Sequence, residues 1–200
     1  APVIGKYLKP LLEKLGLGAG DCNRVINGGC VKCGEGLYLR PYGAGLFLGP
    51  PPSWLFEDFM QEFKVIEPLS NFQIIKKCKE LKIKNFKGVF MRDELSTNQK
   101  TTNECMVINT DHSSNPGTHW TCLFRKNGES FYFDPYGFSP PLEVISYCKE
   151  PRYFSSFPIQ KMNEIICGHY CIYVLHRLNT GDDFYDICFS LIKWVLTKSD

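Results

Sequence analysis

The segment from Gln160 to Arg177 constrains this chain more than any other, because it has the pattern of a loop that leads into an amphipathic helix. Apolar residues recur at helical spacing along one side, and Asn179-Thr180-Gly181 supplies a stop signal. This pattern places Cys167 at or just before the first helical turn. Unpaired backbone N–H groups and the positive end of the helix dipole stabilise a thiolate there.

A nucleophilic cysteine needs a base, and His119 is the candidate. It lies in a predicted strand over 118–124, and a polar turn at 125–129 leads to a second predicted strand over 130–134. His119 and Asp134 therefore fall near corresponding positions of one hairpin, where their side chains can meet. A cysteine and a histidine with a carboxylate behind the histidine follow the logic of a catalytic triad.

Gln160 completes the candidate site, seven residues before Cys167. Its side-chain N–H can point towards a developing oxyanion, beside the backbone N–H of Cys167. His169 and His176 lie on the same predicted helix and are expected to be polar residues of its surface or end. Cys171 is expected to be a core thiol, because no second pair of ligands occurs at metal spacing.

The order of these residues resembles that of a known family. His119-Trp120, the run from Asp134 to Phe138, and Gln160 seven residues before Cys167-Gly168-x-x-Cys171 resemble the adenovirus-type cysteine protease, adenain. More distantly they resemble the SUMO-deconjugating proteases. The resemblance covers roughly residues 68–200. Adenovirus enzymes usually carry glutamate where this chain has Asp134, and aspartate is the choice of the SUMO-protease branch.

The resemblance implies a papain-like, adenain-like α+β fold, in which helices flank a central mixed sheet and an N-terminal appendage precedes them. Hydrophobic patterns predict matching elements along the chain. The predicted helices cover 71–81, 141–148, the segment after Cys167 and 183–197, and the predicted strands cover 87–90, 104–109, 118–124 and 130–134.

Residues 1–65 are predicted to form the appendage, and residues 66–200 the protease domain. An amphipathic helix is expected near residues 4–15, either docked on the protease or contacting a membrane or partner through residues 1–20. A short Gly- and Pro-rich repeat over 34–50 could add strands to another element. Ser53 is a plausible N-cap for an aromatic helix that runs to Phe63 and packs on the main domain or a partner.

Two features bear on regulation. Ile26-Asn27-Gly28-Gly29-Cys30 fits the aliphatic-x-Gly-Gly sites that adenovirus-type proteases cut, so the resemblance suggests self-cleavage between Gly29 and Cys30. Adenovirus enzymes also bind an activating peptide through a disulfide. Cys148, twelve residues before Gln160, is the candidate for that disulfide. The residues themselves require no cofactor, and no metal is expected.

Charge and cysteine content narrow the remaining possibilities. Lys and Arg number 23 against 21 Asp and Glu, which does not indicate a nucleic-acid surface, although the resemblance allows DNA as an activator. Ten cysteines without a secretory signal indicate a reducing compartment rather than a disulfide scaffold. The chain is expected to be neither secreted nor transmembrane. The resemblance implies a monomer located in the virion and in the nucleus or cytoplasm of an infected cell.

The expected function is that of a cysteine endopeptidase that cleaves viral or virus-like precursor proteins after glycine during particle maturation. One alternative is a deconjugase of ubiquitin-like modifiers, whose tails also end in Gly-Gly. Another is a capsid- or membrane-binding front segment fused to a maturation protease.

Overall fold

The structure is a computed structural model that describes residues 31–33, 37–39, 51–97, 100–149 and 152–198. The amphipathic helix expected near residues 4–15 and the Gly29–Cys30 site lie outside the described residues. Within the Gly-rich front, a small antiparallel pair forms from β1 (Val31–Cys33) and β2 (Leu37–Leu39). The described helices include none that is long and apolar enough to cross a bilayer.

A five-stranded mixed sheet organises the rest of the described chain. In chain order its strands are β3 (Phe86–Met91), β4 (Glu104–Asn109), β5 (Trp120–Lys126), β6 (Glu129–Phe133) and β7 (Arg152–Phe154), and they are neighbours in that same order. β4, β5 and β6 pair antiparallel, whereas β3 and β7 join at the two edges in parallel.

The turn between β5 and β6 sets the register that matters for function. Asn127 and Gly128 both have positive φ, 52° and 80°, as a two-residue hairpin turn matching the twist of its strands requires. Cys122 is thereby paired with Phe133. The same register brings the residues just before β5 alongside those just after β6, which is where His119 and Asp134 lie.

Five α-helices of the described residues surround the sheet: α1 (Trp54–Gln61), α2 (Asn71–Glu80), α3 (Leu142–Cys148), α4 (Cys167–Asn179) and α5 (Phe184–Thr197). A capping box fixes the start of α2, because Ser70 and Gln73 exchange side-chain and backbone hydrogen bonds. α4 lies against β5 and β4 and is buried at every position from Gly168 to Leu175, so it is the central helix of the core. The α+β class with a mixed sheet flanked by helices is confirmed.

The aromatic helix α1 belongs to this core. Phe56 has no exposed surface and stacks on Tyr170 of α4, with ring centroids 4.6 Å apart and planes 4° apart. It also meets the edges of Tyr173 and Trp194. The boundary predicted between residues 65 and 66 therefore cuts through a continuous core, because the aromatic run of α1 is shared with α4 and α5.

Predicted elements agree with the described ones to within two residues, apart from four short pieces that were not predicted. These are the 3₁₀ helix over Arg92–Thr97 and the three-residue strands β1, β2 and β7. All four are too short to show a hydrophobic period. Ser53 does precede α1, but its side chain makes no capping hydrogen bond.

Candidate active site

The hairpin brings His119 and Asp134 together. His119 immediately precedes β5, Asp134 immediately follows β6, and Nε2 of the imidazole lies 2.7 Å from Oδ1 of the carboxylate. Both side chains are buried, at 7% and 2% exposure. Because a carboxylate only accepts hydrogen bonds, Nε2 must carry a proton, and Nδ1 becomes the basic nitrogen of the neutral ring.

Cys167 is the first residue of α4, as the sequence predicts, and its side chain is partly exposed. Burial raises the pKa of this thiol, but the interaction with the His119 side chain and the backbone N–H groups of Trp120 and Gly168 outweigh burial, so the pKa falls below its usual value. The thiol therefore lies where a thiolate is favoured.

The pKa of the His119 imidazole shifts in the opposite direction. Burial lowers the pKa of His119, but the hydrogen bond to Asp134 and the interaction with Cys167 raise it to about 9. Nδ1 is buried and has no hydrogen-bond partner among the described residues, so it is the ring nitrogen left to take a proton from the thiol. A raised imidazole pKa beside a lowered thiol pKa favours a thiolate–imidazolium pair at neutral pH.

Gln160 is buried on the loop before α4, and its Nε2 donates to the backbone carbonyl of Glu164 at 2.7 Å. This bond uses one of the two amide hydrogens. The bond also ties Gln160 to the segment that ends at Cys167. The structure thus places Gln160 near the start of α4 without showing its N–H directed at the thiol.

One turn connects the carboxylate to the glutamine loop. The carbonyl of Pro135 accepts from the backbone N–H groups of both Ile159 and Gln160, each at 2.8 Å. Gly137 has φ +75°, and a Cβ there would lie 2.7 Å from the backbone of Phe157 and Pro158. The turn can approach the loop this closely only with glycine at that position.

Tyr136 and Trp120 are parts of the site to which the sequence analysis assigned no role. The ring of Tyr136 stacks on His119, with centroids 4.1 Å and planes 13° apart. The indole of Trp120 donates from Nε1 to the carbonyl of Leu69 at 2.8 Å. Continuing the hairpin register beyond Cys122–Phe133 pairs position 119 with position 136, so the register could have identified Tyr136.

An open cleft of about 560 Å³ reaches Cys167. Trp120 and Leu69 line it, and a Cβ on Gly168 would lie only 3.3 Å from each of these two side chains. Gly168, next to the nucleophile, is therefore closely packed against two residues that line the cleft. Val89, Phe90 and Met91 of β3 also line it.

Other predicted residues lie away from this constellation. Cys148 is 2% exposed, and burial raises the pKa of its thiol, so a disulfide to an activating peptide requires this residue to become accessible first. Cys171 is a fully buried core thiol. His176 is half-buried near the end of α4. The expectation that His169 lies on the helix surface is wrong, because α4 is buried all round and His169 has no exposed surface.

No protein-family model and no curated protein sequence matches this chain. Two crystal structures of the ASFV pS273R protease are similar to it, both at 16% sequence identity. The alignment with the selenomethionine form covers 64% of this chain and 66% of that chain, with a TM-score of 0.46. The other covers 98% of this chain and 88% of that chain, with a TM-score of 0.47. Both neighbours come from ASFV rather than from an adenovirus, and at this identity the likeness concerns the fold.

Proposed function

We propose that this protein is a cysteine endopeptidase with Cys167 as nucleophile, His119 as base and then acid, and Asp134 as the group that orients His119. The observation that carries the proposal is the placement of one imidazole between a carboxylate 2.7 Å from Nε2 and a thiol of lowered pKa at a helix start. This combination supplies an activated nucleophile and a proton donor at neighbouring positions.

The reaction follows from these positions. The Cys167 thiolate attacks the carbonyl carbon of the scissile peptide, so a C–S bond forms and the carbonyl oxygen becomes an oxyanion. The His119 imidazolium then gives its Nδ1 proton to the leaving amine, the C–N bond breaks and a thioester remains. A water molecule, deprotonated by His119, attacks the thioester carbonyl. The C–S bond then breaks, the acid product leaves, and the Cys167 thiolate remains beside the His119 imidazolium, which is the starting state.

The oxyanion requires hydrogen-bond donors, and we assign this role to the backbone N–H of Cys167 and the side chain of Gln160. The amide of Gln160 keeps a second hydrogen after bonding Glu164. The backbone N–H of Gln160 donates to the carbonyl of Pro135, which lies in the turn that carries Asp134. Loss of one such donor typically costs about 10²- to 10³-fold in kcat.

The close packing beside the nucleophile supports cleavage after glycine. Leu69 and Trp120 are joined by a hydrogen bond and crowd Gly168 beside the nucleophile. A substrate residue without a Cβ can approach such a crowded position more closely than any other. We extend the proposal to aliphatic-x-Gly-Gly and aliphatic-x-Gly-x sites in viral or virus-like precursor proteins that are cut during particle maturation.

The first test is a time course of intact mass for the purified full chain, beside Cys167→Ala and the matched control Cys188→Ala, which removes a buried thiol outside the site. We expect residues 1–29 to be lost from the wild type and the control but not from Cys167→Ala. A panel of aliphatic-x-Gly-Gly peptides, incubated with the same three proteins, tests cleavage in trans.

The substrates in this panel also separate the alternatives. Rapid processing of a SUMO or ubiquitin precursor, with no peptide cut, would assign the site to a deconjugase. Turnover that persists in Cys167→Ala, or no turnover of self, peptide or modifier substrates by a folded wild type, would overturn the proposed nucleophile.

A further inference from the structure

The stacked ring of Tyr136 occupies a defined place beside the candidate base. It lies 4.1 Å from the imidazole of His119 and within 13° of parallel to it. Its own backbone N–H donates to Oδ1 of Asp134 at 2.7 Å, the same oxygen that faces His119 Nε2. One carboxylate oxygen therefore fixes both the histidine and the residue that covers the histidine.

The hydrogen bond to Asp134 does not by itself fix the plane of the imidazole, and the stacking of Tyr136 supplies a second contact. A single hydrogen bond between Nε2 and Asp134 fixes one point of the ring but allows the ring to rotate about that point. The base works only if Nδ1 simultaneously faces Cys167, which depends on the ring plane. A flat aromatic surface against one face of the imidazole removes this rotation.

We propose that Tyr136 is a positioning residue for His119, whose stacked ring fixes the plane of the imidazole and supports its positive charge. The inference rests on the proposed function, since it concerns how the same base is held. The face of an aromatic ring carries partial negative charge and attracts a cation placed over it. Tyr136 would therefore favour the imidazolium over the neutral imidazole.

The charges around the pair agree with this role. Among the described residues, Asp134 on the turn after β6 and Cys167 at the start of α4 both favour a protonated His119. Burial raises the pKa of Tyr136, and the charges of Cys167, Asp134 and Glu164 on the loop before α4 raise it further. Three groups that can carry negative charge therefore act on Tyr136, so a protonated His119 on its ring face is favoured over a neutral one.

The test compares Tyr136→Phe, which keeps the aromatic face, with Tyr136→Leu, which removes it. Phe138→Leu is the matched control, because Phe138 meets the edge of Tyr136 at 6.0 Å and is 58% exposed. The first readout is the rate at which iodoacetamide alkylates Cys167 as a function of pH, measured by peptide mass in the full-length protein. The second is the pH profile of kcat/KM on a Gly-Gly peptide.

Loss of the aromatic face should narrow the kcat/KM profile from both sides and should shift the acid limb of the alkylation profile. The alkylation profile has no falling alkaline limb, because the thiolate still reacts after His119 loses its proton. A less stable imidazolium lowers the pKa of His119, so the alkaline limb moves down from its wild-type position. The thiolate loses part of its counter-charge, so the acid limb moves up. We expect shifts of about half to one and a half pH units in Tyr136→Leu. kcat should fall by about 10- to 100-fold with little change in KM.

Tyr136→Phe and Phe138→Leu should retain the wild-type limbs, with kcat within about twofold. A purely structural role of Tyr136 would lower the fraction of titratable sites but leave the limbs of the active fraction unchanged. That result in Tyr136→Leu, or limbs displaced equally in Tyr136→Phe, would overturn the inference. A wild type whose Cys167 shows no thiolate reactivity below its ordinary pKa would instead refute the proposed function, so the two failures are distinguishable.

Discussion

Two buried histidines lie on either side of the start of α4 and behave in opposite ways. His119 lies against Asp134, Tyr136 and Cys167, and its pKa is raised to about 9 although burial alone would lower it. His169, two residues after Cys167, packs against Phe63 in the aromatic region, and burial lowers its pKa to about 4. Partners, rather than depth of burial, therefore decide whether a histidine in this fold carries charge.

The contrast also separates two regions with different tasks. The polar region around the β5–β6 hairpin fixes the charged side chains of the candidate active site. The aromatic region of α1, α4 and α5 excludes polar partners, and neither ring nitrogen of His169 has a hydrogen-bond partner among the described residues. Substitutions in the first region should change activity, and substitutions in the second should change stability.

Removal of the Asp134 carboxylate should have the largest effect on activity. It would leave His119, like His169, buried without a charged partner. Asp134→Ala leaves the imidazole buried without its acceptor, so its pKa should fall and its tautomer should no longer be fixed. We expect kcat/KM to drop on the order of 10³- to 10⁴-fold, measured on a Gly-Gly peptide. Asp134→Asn separates the two causes, because its side-chain oxygen can still accept from His119 and Tyr136 but carries no charge.

The control is Asp93→Asn, which neutralises a half-buried carboxylate that lies 3.7 Å from His112 and is 30% exposed. This surface pair should matter little, so activity should stay within about threefold of wild type. An Asp134→Ala enzyme as active as the control would contradict the role given to the carboxylate.

Phe56→Ala tests the aromatic region. The side chain is fully buried against Tyr170, Tyr173 and Trp194, so its truncation should lower the free energy of unfolding by about 3–5 kcal/mol. Urea denaturation followed by tryptophan fluorescence measures this change. Phe72→Ala, at a site with 77% exposure, is the control and should change stability by less than about 0.5 kcal/mol.

The pH profile of Cys167 alkylation should be the same in folded Phe56→Ala as in the wild type. A shifted profile would show that the two regions are coupled, and the contrast drawn between them would be wrong.

His169→Leu should give the smallest effect, and it should appear only at acidic pH. The pKa of His169 is lower in the folded state than in the unfolded chain, so unfolding takes up a proton between about pH 6.5 and 4. Wild-type stability therefore falls as the pH drops through this window, by up to about 3 kcal/mol from this residue. His169→Leu should show a flatter curve over that window.

His112→Asn, which changes a largely exposed histidine, is the control for that measurement and should follow the wild-type slope. His119 acts in the opposite direction. Because its folded pKa is raised, its contribution is complete below about pH 6.5 and is lost as the pH rises through about 9. Equal acid slopes for the wild type and His169→Leu would show that burial does not neutralise His169.

Most of the framework could be predicted from the sequence because its signals are local. The Asn127-Gly128 turn defines the hairpin, and Gly181 follows the end of α4. The helical spacing of apolar residues after Cys167, together with the stop at Asn179-Thr180-Gly181, predicted that Cys167 lies at the helix start.

The features that the sequence did not predict depend on tertiary contacts. His169 was expected at the surface or at the helix end because a histidine within a helix is usually polar-facing. Phe63, just after α1, packs on His169, and α1, α2 and α5 all lie against α4. Tyr136 stacks on His119 through the pairing of two strands, which appears only when the hairpin register is extended past the strand ends. The β7 strand is set by pairing with β6 rather than by its own three residues.

The position of α1 has a practical consequence for anyone who trims this chain. A shortened protein that begins at residue 66 would lack Phe56 and Phe59 and would uncover the rings of Tyr170, Tyr173 and Trp194. Such a product should be poorly expressed and aggregation-prone, because it presents an aromatic surface that the full chain covers. Cleavage after Gly29 would remove none of these contacts, since α1 starts 25 residues later at Trp54. A protein that starts at residue 30 keeps every contact of Phe56 and Phe59 and is therefore the shorter form to compare with the full chain.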